Sequence, residues 1–221
     1  MTRTASRLLG SIVLLAMFGS LSVTGQQQPR RPGRIFSPTE LGLLEAPDRE
    51  AWQKPDQVMD SLQIAEGSVA ADLGAGGGWF TIRLARRVGP NGRVYAEDIQ
   101  RLMIEAIQRR VQREGLTNVI PTLGTKDDPA LPPGEIDTVL IVDTFQEMEE
   151  PVAVLKNVGN ALKPNGLVGI IDYRLGQGGP GPGPEERVAP SVIIDTAKSA
   201  GLKLIGEENF LPYQYFLRFG K

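Results

Sequence analysis

Apolar and polar positions fall into blocks along the chain, and each block has the period of a strand or of a helix. The run Val69-Ala70-Ala71 stops at Asp72-Leu73, the loop Gly74-Ala75-Gly76-Gly77-Gly78 follows, and apolar residues then recur every fourth place through Phe80, Leu84 and Val88. That order predicts strand, tight turn, helix. Residues 93–98 alternate into a second strand. Met103, Ile107 and Val111 mark one face of a helix that closes at Gly115, and residues 118–123 read as a third strand. Residues 137–143 form a nearly continuous apolar run ended by an acid, the pattern of a central strand buried on both faces. Pro151 opens a helix whose inner stripe is Val154, Leu155, Val158 and Leu162, the turn Lys163-Pro164-Asn165-Gly166 stops it, and residues 167–172 supply a fifth strand. A last helix carries Val192, Ile193, Thr196, Ala197 and Ala200 before Gly201. Residues 202–211 and 213–219 then make two strands joined at Pro212, a connection too short for anything but antiparallel pairing.

Two stretches break the alternation. Residues 1–25 carry Arg3 and Arg7 ahead of an uncharged run with its apolar heart at residues 12–18, and Val23-Thr24-Gly25 offers small residues before Gln26. This is the layout of a cleavable secretory signal, with an uncleaved membrane anchor as the rival reading. The expectation is therefore an exported protein, periplasmic or secreted, or one held at the membrane by residues 1–25. Residues 26–38, punctuated by Pro29, Pro32 and Pro38, predict a linker, leaving residues 39–221 as the folded domain. That domain starts with short helical pieces at Ser37-Pro38-Thr39-Glu40, at residues 48–52, and through Val58, Met59 and Leu62. The second break, residues 176–184, alternates glycine with proline and predicts a mobile loop, either a substrate lid or a tolerated insertion.

Composition narrows the chemistry. Among 221 residues there is no cysteine and no histidine, which excludes disulfides, thiolate nucleophiles, imidazole bases and Cys/His zinc sites. A net charge of −2, from 24 basic and 26 acidic residues, gives no electrostatic case for nucleic acid. No metal site is expected.

The glycine loop discriminates between ligands. A dinucleotide fingerprint needs a small third residue, yet that place is Trp79 counted from Gly74 and Thr81 counted from Gly76. What fits is Asp-x-Gly-x-Gly-x-Gly, carried by Asp72, Gly74, Gly76 and Gly78. A carboxylate at the strand end repels a pyrophosphate and suits the ammonium of an amino-acid-like ligand. Asp98 follows Gly78 by 20 residues at the end of the next strand, where an acid accepts from ribose hydroxyls; capping the helix that begins near Gln100 is a compatible alternative. Strand alternation sends Glu97 to the opposite face.

On these residues the chain resembles the class I, Rossmann-like S-adenosylmethionine-dependent methyltransferases. The Leu-Lys-Pro-Asn-Gly turn before the fifth strand and the closing antiparallel pair extend the likeness over residues 43–221. The resemblance implies a three-layer αβα sandwich with a seven-stranded, mostly parallel sheet in the order 3-2-1-4-5-7-6, the seventh strand antiparallel. It implies S-adenosylmethionine as cofactor, with Asp72, Gly74, Gly76 and Gly78 on the methionine end and Asp98 on the ribose. Asp127, or its neighbour Asp128, falls beside the adenine, and Asp143 near the reacting methyl group. A helical lead-in, to which Trp52 and Gln53 could belong unless Trp52 only packs beneath it, closes over the cofactor in many members. Related sequences with Tyr-His-Glu after the fourth strand have histidine where Gln146 stands here, so no catalytic residue is assigned. The expected activity is methyl transfer to a small-molecule acceptor. Its rivals are an exported non-catalytic module of the same fold and a nicotinamide-dependent oxidoreductase.

Overall fold

The computed structural model describes residues 33–176 and 178–221. The targeting segment expected at residues 1–25 and most of the linker lie outside the described residues. Among the described residues no helix is long and apolar enough to cross a membrane.

Among the described residues seven strands form one sheet: β1 (Val69–Leu73), β2 (Arg93–Asp98), β3 (Val119–Leu123), β4 (Ile136–Val142), β5 (Leu162–Tyr173), β6 (Lys203–Glu208) and β7 (Gln214–Gly220), in the order β3-β2-β1-β4-β5-β7-β6. All ladders are parallel except those of β7, which pairs antiparallel with both β5 and β6. The order is the one the family resemblance implies, and the reversed last strand is the one the short connection at Pro212 predicts. Among the described residues the α-helices are α1 (Arg49–Gln53), α2 (Pro55–Ser61), α3 (Trp79–Val88), α4 (Arg101–Arg113), α5 (Pro151–Ala161) and α6 (Pro190–Ser199), and 3₁₀ helices span Pro38–Glu45 and Phe145–Glu147.

Strand alternation builds two cores, one on each face of the sheet. On β4, Val139 and Ile141 pack with Leu155 and Val158 of α5 and Ile193 of α6, while Leu140 between them packs with Val58 of α2 and Phe80 and Leu84 of α3. On β1, Ala71 and Ala70 divide the same way. Burying each such Leu, Ile or Phe is worth about 1.5–3 kcal/mol, so the period-2 pattern of the central strands fixes which face each helix covers.

Two boundaries differ from the sequence reading. Leu162 belongs to β5, not to the helix before it: it pairs with Ile136, after which the ladder jumps to Thr138 with Leu167. The Lys-Pro-Asn-Gly residues lie within that irregularity, because Pro164 has no N–H to donate to a ladder. The glycine-proline loop also sits closer to the body than its composition suggests. A Cβ on Gly181 would fall 2.4 Å from the Tyr173 ring and one on Gly179 2.6 Å from the Tyr213 ring, so the bare backbone lies directly on two aromatic faces. Arg187 reinforces this by donating from Nε to the Pro182 carbonyl at 3.0 Å.

Candidate cofactor site

The carboxyl ends of β1, β2 and β4 open into one crevice, where open α/β sheets bind ligands. Its wall includes Asp72, Gly74, Gly76, Gly77, Asp98 and Asp143. Gly78 instead turns the chain into α3 at φ 80°, a conformation only glycine adopts freely.

The loop holds itself in shape by consuming its own amides. Gly74 N–H donates to the Glu97 carboxylate at 3.2 Å, Ala75 N–H to the Glu97 carbonyl at 2.8 Å, Gly76 N–H to the Asp98 carboxylate at 3.0 Å, and Gly78 N–H to the Ala75 carbonyl at 2.9 Å. A pyrophosphate site needs such amides pointed at the ligand. Here they are spent on carboxylates, and the carboxylates themselves face the crevice.

Asp72 is buried and accepts from the Thr81 hydroxyl of α3 at 2.6 Å. Burial pushes its carboxyl up to about 6, with the Thr81 bond and the Arg49 charge acting in the opposite direction. Asp98 performs both functions considered for it: Oδ1 accepts from Gln100 N–H at 2.8 Å, tying down the start of α4, and the carboxylate lines the crevice. With roughly four lone-pair sites, it retains capacity for ribose hydroxyls beyond its two amide bonds. Desolvation raises its pKa.

Glu97 corrects the alternation argument. Instead of facing away, it is buried against the loop and lines the crevice. At the last residues of a strand the ladder no longer dictates direction, and the Gly74 amide draws the side chain in. Burial, followed by the adjacent Asp98 charge, raises its carboxyl to about 8.

Asp143 lies just beyond β4 at φ 53°, a strained position for a residue with a Cβ. It is held by Gln146, whose Nε2 donates to the Asp143 carbonyl at 2.9 Å and to its Oδ1 at 3.0 Å. Burial raises its carboxyl to about 6 against the pull of Arg49. Asp127 lies outside the crevice wall: it is exposed and accepts from the Thr125 hydroxyl at 2.8 Å, while Thr125, Lys126 and Pro129 line the wall in its place. Asp128 likewise turns back on its own loop, accepting from Ala130 N–H at 2.9 Å.

The lead-in closes the crevice with residues that carry no sequence signature. Phe36 N–H donates to the Glu147 carboxylate at 2.9 Å, Gln100 Nε2 donates to the Phe36 carbonyl at 2.9 Å, and Gly33 N–H donates to the Gln146 carbonyl at 2.6 Å. Ile35, Phe36, Leu44, Glu45 and Arg49 therefore form part of the wall, as does Glu147, whose carboxyl burial raises to about 7. Trp52 and Gln53 lie elsewhere. Trp52 packs on Tyr173 and Tyr213 with ring centroids 6.4 and 5.9 Å apart, and Gln53 donates to Gln214 Oε1 at 2.6 Å. Among the described residues no cluster of three carboxylates is arranged to hold a metal.

A family model described as a methyltransferase domain matches residues 70–166, which contain the glycine loop, both β2 acids and Asp143. The domain has the fold of a class I methyltransferase. A SAM-dependent methyltransferase from Aquifex aeolicus superposes on it with a TM-score of 0.79 at 27% identity, covering 83% of this chain and 98% of that one. Demethylmenaquinone methyltransferase of Geobacillus stearothermophilus is 31% identical over 121 residues, 55% of this chain and 51% of its own length. Nocamycin O-methyltransferase of Saccharothrix syringae is 31% identical over 114 residues, 52% of this chain and 41% of its own length. The chain thus spans about half the length, or less, of these curated relatives. The methyltransferase crevice suits the family's cofactor chemically: it is rich in carboxylates, as a sulfonium nucleoside requires, and its loop amides are closed to phosphate.

Proposed function

We propose that this domain transfers the methyl group of S-adenosylmethionine to a small-molecule acceptor. The observation that carries this reading is the pairing of the Gly74 and Gly76 amides with Glu97 and Asp98. It spends the amides that a phosphate would need and turns acidic side chains, Asp98 and Glu97, toward the ligand. The cofactor would supply an electrophilic methyl group on a cationic sulfur. Asp72 would take the ammonium of the methionine tail and Asp98 the ribose, while Ile99 and Met103 offer an apolar wall on the same side of the crevice.

Catalysis in such a site rests on placing acceptor and methyl group in line and on keeping water out. The lead-in strap serves the second need. For an acceptor that must lose a proton, Asp143 and Glu147 are wall carboxyls raised to about 6 and about 7, suited to receive it near neutrality. Small molecules are favoured as acceptors because the relatives carry names of that kind and the chain's charge offers nothing to nucleic acid.

Calorimetry of the full chain with S-adenosylhomocysteine and, separately, with NAD tests the reading. Binding of the first alone is expected, together with release of S-adenosylhomocysteine when S-adenosylmethionine and fractionated metabolites are supplied. Binding of NAD alone would replace methyl transfer by hydride transfer, and nucleoside binding with no turnover from any fraction would leave a binding module.

A further inference from the structure

Beside the crevice, on the β5 and β7 side, lies a group of residues that the cofactor does not use. Tyr173 closes β5 and pairs with Gln214 of β7, and Tyr213 immediately precedes that strand. Asp143 is the neighbour on the other side: its N–H donates to the Ile171 carbonyl at 2.9 Å, two residues before Tyr173. The Tyr173 ring packs against Trp52, with centroids 6.4 Å apart, and against Arg187, whose guanidinium carbon is 5.4 Å from the ring centroid. Backbone alone covers the hydroxyl-bearing end of the ring. A Cβ on Gly181 would collide with Cζ and both Cε atoms of Tyr173, and one on Gly179 with the Tyr213 ring. Proline gives this loop no N–H for a ladder, and Arg187 Nε, donating to the Pro182 carbonyl at 3.0 Å, ties it down instead.

Two polar groups around Asp143 are left without hydrogen-bond partners among the described residues. Tyr173 is 4% exposed, yet its hydroxyl makes no hydrogen bond. Gln146 Oε1 is buried and unpartnered, while Nε2 of the same side chain holds Asp143. Buried polar atoms are nearly always satisfied, so these orphans point to a group that is bound in use. Burial first, then the Asp143 charge, raises the Tyr173 hydroxyl above the ordinary tyrosine range, which keeps it a protonated donor rather than a base. The flat peptide backbone lying on Tyr173 and Tyr213 fills the space that a flat ligand would take. We infer that Tyr173 is a catalytic residue for a flat, hydroxyl-bearing acceptor: with residues 178–184 lifted, its ring face takes the acceptor and its Oη donates to the acceptor oxygen beside Asp143. The inference rests on the methyl-transfer reading above. The acceptor oxygen gives its proton to the Asp143 carboxylate and uses one lone pair to bond the methyl carbon, while the carbon–sulfur electron pair stays on sulfur; its other lone pair accepts from Tyr173. An amine nitrogen has a single lone pair, which the methyl group needs, so the same arrangement disfavours it.

The probes are naphthol and methylnaphthalene, each substituted at the second carbon; both are flat, and only the first carries a hydroxyl. Their binding to the full chain saturated with S-adenosylhomocysteine is followed by naphthalene fluorescence. Wild type is expected to hold naphthol the more tightly. Tyr173→Phe should weaken naphthol by about 2- to 10-fold, the range for one hydrogen bond, and change methylnaphthalene by less than about 2-fold, with S-adenosylhomocysteine affinity unaltered. Gly181→Ala, which sets a Cβ against the Tyr173 ring, should displace the loop and speed association of both naphthalenes. Equal losses for the two probes in Tyr173→Phe would make Tyr173 a packing residue and overturn the inference, as would unaltered naphthol affinity or unchanged association rates in Gly181→Ala. A wild-type chain that binds S-adenosylhomocysteine but neither naphthalene removes the inference alone; one that does not bind S-adenosylhomocysteine overturns the methyl-transfer reading with it.

Discussion

The Thr144 side chain leaves no room for a side chain on Gly74: a Cβ built there would fall 2.2 Å from Thr144 Cγ2 and 2.4 Å from Oγ1. Thr144 is fixed from its own side, donating to the Val142 carbonyl at 2.9 Å. The loop after β1 and the segment after β4 thus meet at one bare backbone position. Gly74→Ala should therefore do more than strain a residue at φ 69°. We expect a loss of about 1–3 kcal/mol in thermal or denaturant unfolding, of which Thr144→Ala in the same chain recovers part by removing the methyl group. Additive losses in the double variant would show that the contact is not the cause.

Asp98 links the loop to the start of α4 through Gly76 N–H and Gln100 N–H. Asp98→Ala strands both amides and should cost about 1–3 kcal/mol of stability in addition to nucleoside affinity. Asp98→Asn retains an acceptor for one of them, so it should be the more stable variant while still binding S-adenosylhomocysteine more weakly than wild type. Unfolding curves and calorimetry on the same samples separate the two effects.

Glu97 makes stability depend on pH in a direction opposite to that of an ion-paired acid. Its carboxyl rises from an ordinary value of 4.5 to about 8 in the folded protein, chiefly through burial. The folded chain therefore holds the proton more tightly than the unfolded chain, and this contribution is complete below about 4.5 and lost as pH rises through about 8. Glu97→Gln can still accept from Gly74 N–H and has no charge to bury. The melting temperature of the variant relative to wild type should increase steadily between pH 5 and roughly pH 8.5. A constant difference across that window would sink the account.

The same titrations bear on the cofactor. Asp72 and Asp143 ionise near 6, Glu147 near 7 and Glu97 near 8, so the crevice becomes more negative across neutrality. Only S-adenosylmethionine carries the sulfonium charge; its demethylated product does not. Its affinity relative to S-adenosylhomocysteine should therefore increase from about pH 6 to about pH 8.5, with protons released on binding. Calorimetry in buffers of different ionisation enthalpy measures both quantities, and a flat ratio would contradict the acidic-crevice argument.

Glu147 latches the lead-in through Phe36 N–H. Glu147→Ala should leave the sheet intact yet release the strap, seen as faster proteolysis near residues 33–37 and faster loss of bound nucleoside, with little change in far-UV circular dichroism. Unchanged cleavage and dissociation rates would show that the Gln146 and Gln100 bonds hold the strap unaided.

What could be read from the chain alone is what short-range periodicity encodes. The seven strands, the reversed last strand and a glycine loop unsuited to dinucleotides follow from patterns a few residues long or from connection lengths, because side-chain direction within a strand or helix is set by the local backbone; the strand order came only with the family resemblance. Asp72, Asp98 and Asp143 were legible for the same reason, as acids at predicted strand ends. Only the tertiary structure decided which other groups share their crevice. Glu97 turned inward because a strand end is no longer bound by alternation, and Asp127 turned outward because its own loop supplied a donor. Arg49 and Phe36 come from a segment about 20 to 110 residues away from these acids in sequence, brought to them by packing that no local pattern records.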